Sequence, residues 1–165
     1  MVLGLAGAAA VARDPMAPLR ALTRAGLRLE GARVLGWQGV IAQRTLWDCG
    51  PAAVATLMLR LGREVPSLAR VGQLAGTTPR GTAMGGLSDA LRALGVPHAV
   101  HAAGLPRLDA RPALAWVRPG HFVVVERSPE PGMVDVLDPR VGRYRIAAAT
   151  FARQWPGAAL VPELP

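Results

Sequence analysis

The spacing of apolar residues changes once along this chain, from a helical period before Gly95 to an extended period after it. Apolar residues recur with helical spacing at residues 52–61, 67–74 and 83–94. Beyond Gly95, short apolar segments are separated by turns rich in Gly, Pro and Asp. Helices followed by antiparallel strands predict an α+β fold. The expected extended segments are residues 34–43, 98–102, 113–117, 121–127, 133–137, 143–147 and 158–161.

The length of 165 residues corresponds to one domain with a substantial core. Hydrophobic residues make up 51% of the chain and charged residues 18%, which excludes intrinsic disorder. No apolar run approaches the roughly 20 residues that a membrane-spanning helix needs. We therefore expect at most a peripheral contact with a membrane.

The net charge of +8 comes from arginine alone, because the chain contains no lysine. A basic chain raises the possibility of nucleic-acid binding. The arginines, however, are spread singly from Arg13 to Arg153. The few aromatic residues form no stacking motif with basic residues between them. We therefore expect no nucleic-acid partner.

Residues 1–33 are interpreted as an extension in front of a folded domain at residues 34–165. Residues 1–12 are small and apolar and end in an A-x-A pattern, as an export signal does, but they have no basic start. If they belong to a signal the protein is periplasmic or exported, and otherwise it is cytoplasmic. Residues 16–33 form a basic amphipathic segment with Arg20, Arg24 and Arg28 every four positions. A solvated helix face is favoured there over a contact with anionic lipid or a partner.

Cys49 is the single cysteine of the chain, which excludes an internal disulfide and a cysteine-rich zinc site. It is either a small buried hydrophobic residue or a reactive thiol. Asp48 is expected to cap a helix that begins here, with Pro51 in the first turn. Backbone N–H groups at a helix start stabilise an anion and so lower the pKa of a thiol.

A nucleophilic cysteine needs a base and a group that orients the base. His121 directly precedes an apolar strand, and Asp138 ends the next one. A hairpin that joins these strands would bring the two side chains together. Gln43 precedes the cysteine by six residues, and its amide together with the Cys49 N–H can stabilise an oxyanion. On position alone, an ordinary surface glutamine is the favoured interpretation of Gln43.

His98 and His101 form an H-x-x-H pattern within an expected strand. An offset of three residues places the two side chains on opposite faces of a strand. No acidic cluster nearby would supply a third ligand, so we expect no metal site there.

Several segments resemble the motifs of the C39 family of papain-like peptidases. The run from Gln43 through Asp48-Cys49-Gly50-Pro51 resembles its cysteine motif. The remaining resemblances lie at residues 76–82 (its loop after the second helix), 120–125 (its histidine motif), 134–142 (its aspartate motif) and 155–157 with the strand that follows (its closing segment). The match covers about residues 34–162, with the motifs in the order and spacing of the family.

The resemblance implies a papain-like fold, with N-terminal helices packed on a C-terminal antiparallel sheet, and a stand-alone cysteine endopeptidase. Cys49 would be the nucleophile, His121 the general base and then acid, Asp138 the orienting group, and Gln43 the oxyanion donor. The expected substrate is a peptide or leader with a flexible, Gly-rich site, cleaved after Gly-Gly, with no metal or organic cofactor. The partner would be a separate export machine or ABC transporter.

Two alternatives remain open at the level of the sequence. One is a peptide-binding module of the same fold that does not turn over, although the non-catalytic relatives replace the cysteine that this chain keeps. The other is a related cysteine hydrolase that acts on a different amide, such as a cell-wall peptide.

Overall fold

The structure, a computed structural model, describes residues 14–101 and 111–163. The expected export segment at residues 1–12 lies outside them. No helix of the described residues is long and apolar enough to cross a membrane. The helices are α1 (Ala17–Leu29), α2 (Cys49–Arg60), α3 (Leu68–Ala75), α4 (Met84–Ala93) and α5 (Ala148–Gln154). The strands are β1 (Arg33–Gly36), β2 (His98–His101), β3 (Ala113–Val117), β4 (His121–Arg127), β5 (Met133–Asp138), β6 (Gly142–Ala147) and β7 (Ala159–Pro162).

The strands form one antiparallel sheet in the order β1-β6-β5-β4-β3-β7-β2. Helices α2, α3 and α4 come before most of the sheet in sequence, and α2 packs against its central strand β4. The α+β architecture expected from the sequence is confirmed. Strands β3 and β4 have the expected bounds, and β2, β5, β6 and β7 differ from the expected bounds by one residue.

Two apolar clusters, one on each face of the sheet, explain why the central strands are apolar throughout. On one face, Leu57 of α2 and Leu91 of α4 pack with Val124 of β4. On the other face, Val123 and Val125 of the same strand pack with residues of α1 and α5. Each large side chain buried in this way contributes about 1.5–3 kcal/mol. Burial on both faces therefore holds β4 at the centre of the sheet.

The β4–β5 hairpin sets the position of the residues at its open end. The turn at residues 128–132 joins the strands, and Val124 pairs with Leu137. This register places the first residue of β4 and the last residue of β5 at the same end of the sheet. The start of α2 lies against this end.

Helix α1 presents Arg20 and Arg24 to the body of the protein, together with the buried Leu27. Arg20 donates to the carbonyl oxygen of Gln43 over 3.0 Å, and Arg24 donates to that of Val141 over 3.1 and 2.8 Å. Leu29, by contrast, is 90% exposed. The expected solvated face is therefore wrong for Arg20 and Arg24. No local pattern indicated this orientation, because the acceptors are backbone carbonyls far along the chain.

Two further segments differ from expectation. The extended run at residues 34–43 forms a strand only as far as Gly36, because Gly36 and Gly39 both have positive φ angles, of 107° and 75°. Helix α5 was not expected from the sequence. It is short and packs Phe151 into the second apolar cluster, so tertiary contacts rather than periodicity stabilise it.

Candidate active site

Cys49 is the first residue of α2, and its neighbour Asp48 does not cap the helix as expected. The Asp48 carboxylate accepts hydrogen bonds from the backbone N–H groups of Arg44, over 3.1–3.2 Å, and Thr45, over 2.9 Å. It therefore closes the preceding loop and makes no side-chain bond to the helix. Pro51 lies in the first turn and has no N–H. The N–H groups of Cys49 and Gly50, at the start of the helix, have no acceptor within it.

His121 and Asp138 form a buried pair at the open end of the hairpin. The Nε2 atom of His121 lies 2.7 Å from Oδ1 of Asp138, and both side chains are almost fully buried. The backbone N–H of Arg140 donates to the same carboxylate oxygen over 2.6 Å. The carboxylate is thus held from two sides and sets the orientation of the imidazole.

The Cys49 thiol and the imidazole of His121 lie close enough for each group to shift the pKa of the other. Burial raises the pKa of Cys49, but His121, the backbone N–H of Phe122 and the charge of Arg140 outweigh it and lower the pKa. Burial lowers the pKa of His121, but Asp138 and Cys49 raise it to about 9. The arrangement favours a thiolate beside an imidazolium.

Gln43 is fully buried, so the alternative of a surface glutamine is wrong. Its amide Nε2 donates to the carbonyl oxygen of Thr45 over 2.7 Å. That bond uses one of the two N–H groups and sets the orientation of the amide. The backbone N–H of Gln43 donates to Pro139, and its carbonyl oxygen accepts from Arg20. Gln43 is thus tied to the turn after Asp138.

An open cleft of about 270 Å³ lies beside the cysteine, and we call it the acyl-side cleft. Gly50 lets the start of α2 pack closely on its neighbours, because a Cβ there would lie 3.1 Å from Leu87 and Thr82. The volume is at the lower end of the usual range for ligand pockets. The cleft is lined by Leu46, Trp47, Cys49, Pro79, Arg80, Gly81, Thr82, Trp116, Gly120 and Phe122.

A second cavity, of about 410 Å³, lies on the other side of His121 and is called here the arginine cleft. Its walls come from α1, the ends of β3 and β5, and the start of β4. A wider depression of about 710 Å³ follows the turn at residues 127–133, at the opposite end of the hairpin from the cysteine. The arginine cleft is lined by Thr23, Gly26, Leu27, Glu30, Val117, Arg118, Pro119, His121, Asp138, Arg140, Tyr144 and Gln154.

The H-x-x-H residues lie away from this site. His98 lies 2.7 Å from the hydroxyl of Ser88 and 2.9 Å from the carbonyl oxygen of Val96, and His101 is exposed. Across residues 14–101 and 111–163, no group of three His, Cys, Asp or Glu side chains is placed to hold a metal ion.

Three residues at the site escaped the sequence analysis as functional candidates. The guanidinium of Arg140 lies 3.4 Å from Nδ1 of His121. Arg20 and Arg24 donate to the backbone carbonyl oxygens of Gln43 and Val141, respectively. The position of Arg140, two residues after Asp138, was the one available signal. Nothing in the sequence pointed to α1 as part of the site.

Comparison with known proteins agrees with the motifs and the geometry. A protein of Methanothermobacter marburgensis, described as uncharacterized, is 36% identical over 136 residues, covering 78% of this chain and 91% of its own length. The peptidase domain of Streptococcus ComA, a bifunctional ABC transporter of a quorum-sensing pathway, superposes with a TM-score of 0.67 at 27% identity. That match covers 75% of this chain and 98% of the ComA domain.

A double glycine motif protease from an AMS/PCAT transporter, solved with its leader peptide, has the same fold. Its TM-score is 0.66 at 23% identity, over 80% of this chain and 99% of that one. The papain-like fold is thereby confirmed. The family model described as Peptidase C39 matches residues 24–164. The chain therefore belongs to the peptidase C39 family and is a cysteine peptidase.

Proposed function

We propose that this protein is an endopeptidase that cleaves a leader or other peptide after a Gly-Gly site through a thioester intermediate. The observation that carries the proposal is the contact of His121 with the Cys49 thiol on one side and with Asp138, at 2.7 Å, on the other. A thiol at a helix start, a base and an orienting carboxylate are the set that acyl transfer needs.

In the first step the Cys49 thiolate attacks the carbonyl carbon of the scissile bond. The negative charge moves to the carbonyl oxygen, where the free N–H of the Gln43 amide and the Cys49 backbone N–H act as donors. The C–N bond then breaks, and His121 gives its proton to the leaving amine. The products of this step are a thioester on Cys49 and a free amino terminus.

In the second step water hydrolyses the thioester. The now neutral His121 takes a proton from the attacking water, and the C–S bond breaks to release the carboxylate product. The proton returns the imidazole to its cationic form beside the thiolate. Asp138 keeps Nε2 of His121 bonded throughout and so keeps the other ring nitrogen directed at the sulfur.

The preference for glycine is supported by the acyl-side cleft. Its volume of about 270 Å³ leaves little room beside the thiol once a peptide backbone has entered. Trp116 and Phe122 form one wall, and Thr82 lies against the start of α2. Residues without a side chain suit such a passage, because the backbone can then approach the sulfur closely.

The proposed substrate and partner are supported by the neighbours in structure. ComA is part of an ABC transporter, and the AMS/PCAT protease was solved with a leader peptide. We propose that this chain also acts on a peptide destined for export, in concert with a separate transporter. Residues 1–33 would then form an extension whose helix α1 supports the peptidase domain.

The test compares wild-type protein with Cys49→Ala and Cys49→Ser on two matched peptides, one with Gly-Gly before the scissile bond and one with Leu-Leu. We expect cleavage of the Gly-Gly peptide by wild type alone, and a thioester adduct in the mass spectrum of the quenched reaction. Binding of the Gly-Gly peptide without turnover would favour a non-catalytic module instead. Turnover of a cell-wall peptide with neither of these peptides cleaved would favour a different amide substrate.

A further inference from the structure

The arginine cleft and the acyl-side cleft meet at the catalytic pair from opposite sides. Cys49 lines the acyl-side cleft, whereas His121 lines the arginine cleft. In thiol peptidase chemistry the acyl part of the substrate becomes bonded to sulfur, and the leaving amine takes its proton from the imidazole. A substrate that reacts here therefore places its leaving part on the side of His121.

The charged lining of the arginine cleft consists of two arginines, two carboxylates and the imidazole of His121. Arg118 and Arg140 both line it, and neither forms an ion pair within residues 14–101 and 111–163. The two carboxylates of the lining already accept hydrogen bonds from neighbouring side chains. Glu30 accepts from the amide of Gln154 over 2.5 Å, and Asp138 is bonded to His121.

Arg140 is held beside His121 in the lining of the arginine cleft. Its backbone N–H is bonded to Asp138, and its guanidinium lies 3.4 Å from Nδ1 of His121. Its Nε is buried and has no hydrogen-bond partner among the described residues. A buried donor without an acceptor is costly, and a carboxylate matches the geometry of a guanidinium.

We propose that the arginine cleft is the leaving-side subsite of the peptidase and that it selects a carboxylate within the first two residues after the scissile bond. Arg140 and Arg118 are the donors. The chemical class of the substrate is thereby narrowed to a Gly-Gly peptide followed by Asp or Glu. This inference rests on the proposed peptidase function.

The experiment uses the full chain and three peptides that differ only at the two positions after Gly-Gly, which carry Glu, Gln or Lys. For wild type we expect kcat/KM to be about tenfold higher with Glu than with Gln, the effect of one charge-assisted hydrogen bond, and lowest with Lys. Arg118→Gln is expected to reduce the Glu-to-Gln ratio, and Arg118→Glu to reverse the order of Glu and Lys.

Arg80→Gln is the matched control, because Arg80 lines the acyl-side cleft. It is expected to leave the Glu-to-Gln ratio unchanged, whatever it does to the overall rate. Equal kcat/KM for the Glu and Gln peptides with wild type would overturn the inference and leave the peptidase function in place. Cleavage of none of the three peptides would overturn the peptidase function itself, and the inference with it.

Discussion

The backbone N–H of Gln43 donates to the carbonyl oxygen of Pro139 over 2.8 Å. This bond joins the loop that carries the proposed oxyanion donor to the turn that follows Asp138. Helix α1 spans the same junction, because Arg20 binds Gln43 and Arg24 binds Val141. Both guanidinium groups also lie over the ring of Trp37, at 4.9 and 5.7 Å from its centroid. Gln43 and Asp138, the proposed oxyanion donor and orienting group, are thereby held in fixed positions relative to each other.

Replacing Gln43 by Ala is expected to lower kcat by about 10²–10³, the usual cost of removing one oxyanion donor. KM for the Gly-Gly peptide should change little, since the donor acts mainly on the transition state. Steady-state kinetics provides the measurement. Alkylation of Cys49 by iodoacetamide serves as the control and should keep its wild-type rate, because Gln43 is not among the groups that shift the thiol pKa. A KM effect without a kcat effect would contradict the assigned role.

Replacing Arg20 by Ala should lower kcat by about tenfold through misplacement of Gln43, although Arg20 itself meets no substrate. The rate of Cys49 alkylation should stay at the wild-type value, which separates a positioning role from general loss of structure. Arg28→Ala is the matched control, since Arg28 lies on the same helix with its side chain exposed. Equal kcat values for the two variants would refute the role of Arg20.

Replacing Asp138 by Asn is expected to narrow the pH range of activity from the alkaline side. Asp138 is a main reason that the pKa of His121 is raised to about 9. Without its charge the imidazolium is lost at a lower pH, so the alkaline limb of kcat/KM moves down from about pH 9. The acid limb should move little, because Asp138 is not among the groups that shift the pKa of Cys49.

The two limbs belong to the coupled pair rather than to either residue alone, so the complete pH profile is the measurement. At neutral pH the rate should fall by about 10² or more, the contribution of a well-placed acid–base group. An alkaline limb that stays in place in Asp138→Asn would show that another group sets it.

Replacing Gly86 by Ala should destabilise the fold, because the new Cβ would lie 2.1 Å from the carbonyl oxygen of Ala75. Helices α3 and α4 would have to move apart, at a cost of about 1–3 kcal/mol. Thermal unfolding should show a fall of about 2–4 °C for each kcal/mol. Gly85→Ala is the control in the same helix turn, where a Cβ meets nothing within 4 Å, and it should leave the melting temperature unchanged or slightly raised.

The sequence was informative where local pattern and chemistry coincide. An apolar run bounded by turn residues predicted β4 to the residue, and from it the pairing of His121 with Asp138. The sequence analysis failed at Asp48, because its carboxylate can accept hydrogen bonds either from the helix that follows it or from the loop that precedes it. Tertiary structure determines which of the two forms. The sequence analysis also failed at α1. The partners of Arg20 and Arg24 lie 23 and 117 residues away, beyond any local signal.

The contacts of Arg20 and Arg24 in α1 have a consequence for where a shortened form of this protein can begin. The family match starts at residue 24, in the middle of that helix. A shortened chain cut at this boundary would retain Cys49, His121 and Asp138 and would still lose Arg20 with the first half of α1. We expect this fragment to react with thiol reagents at the normal rate and to hydrolyse peptides slowly. Low activity of such a fragment would then reflect the position of its amino terminus.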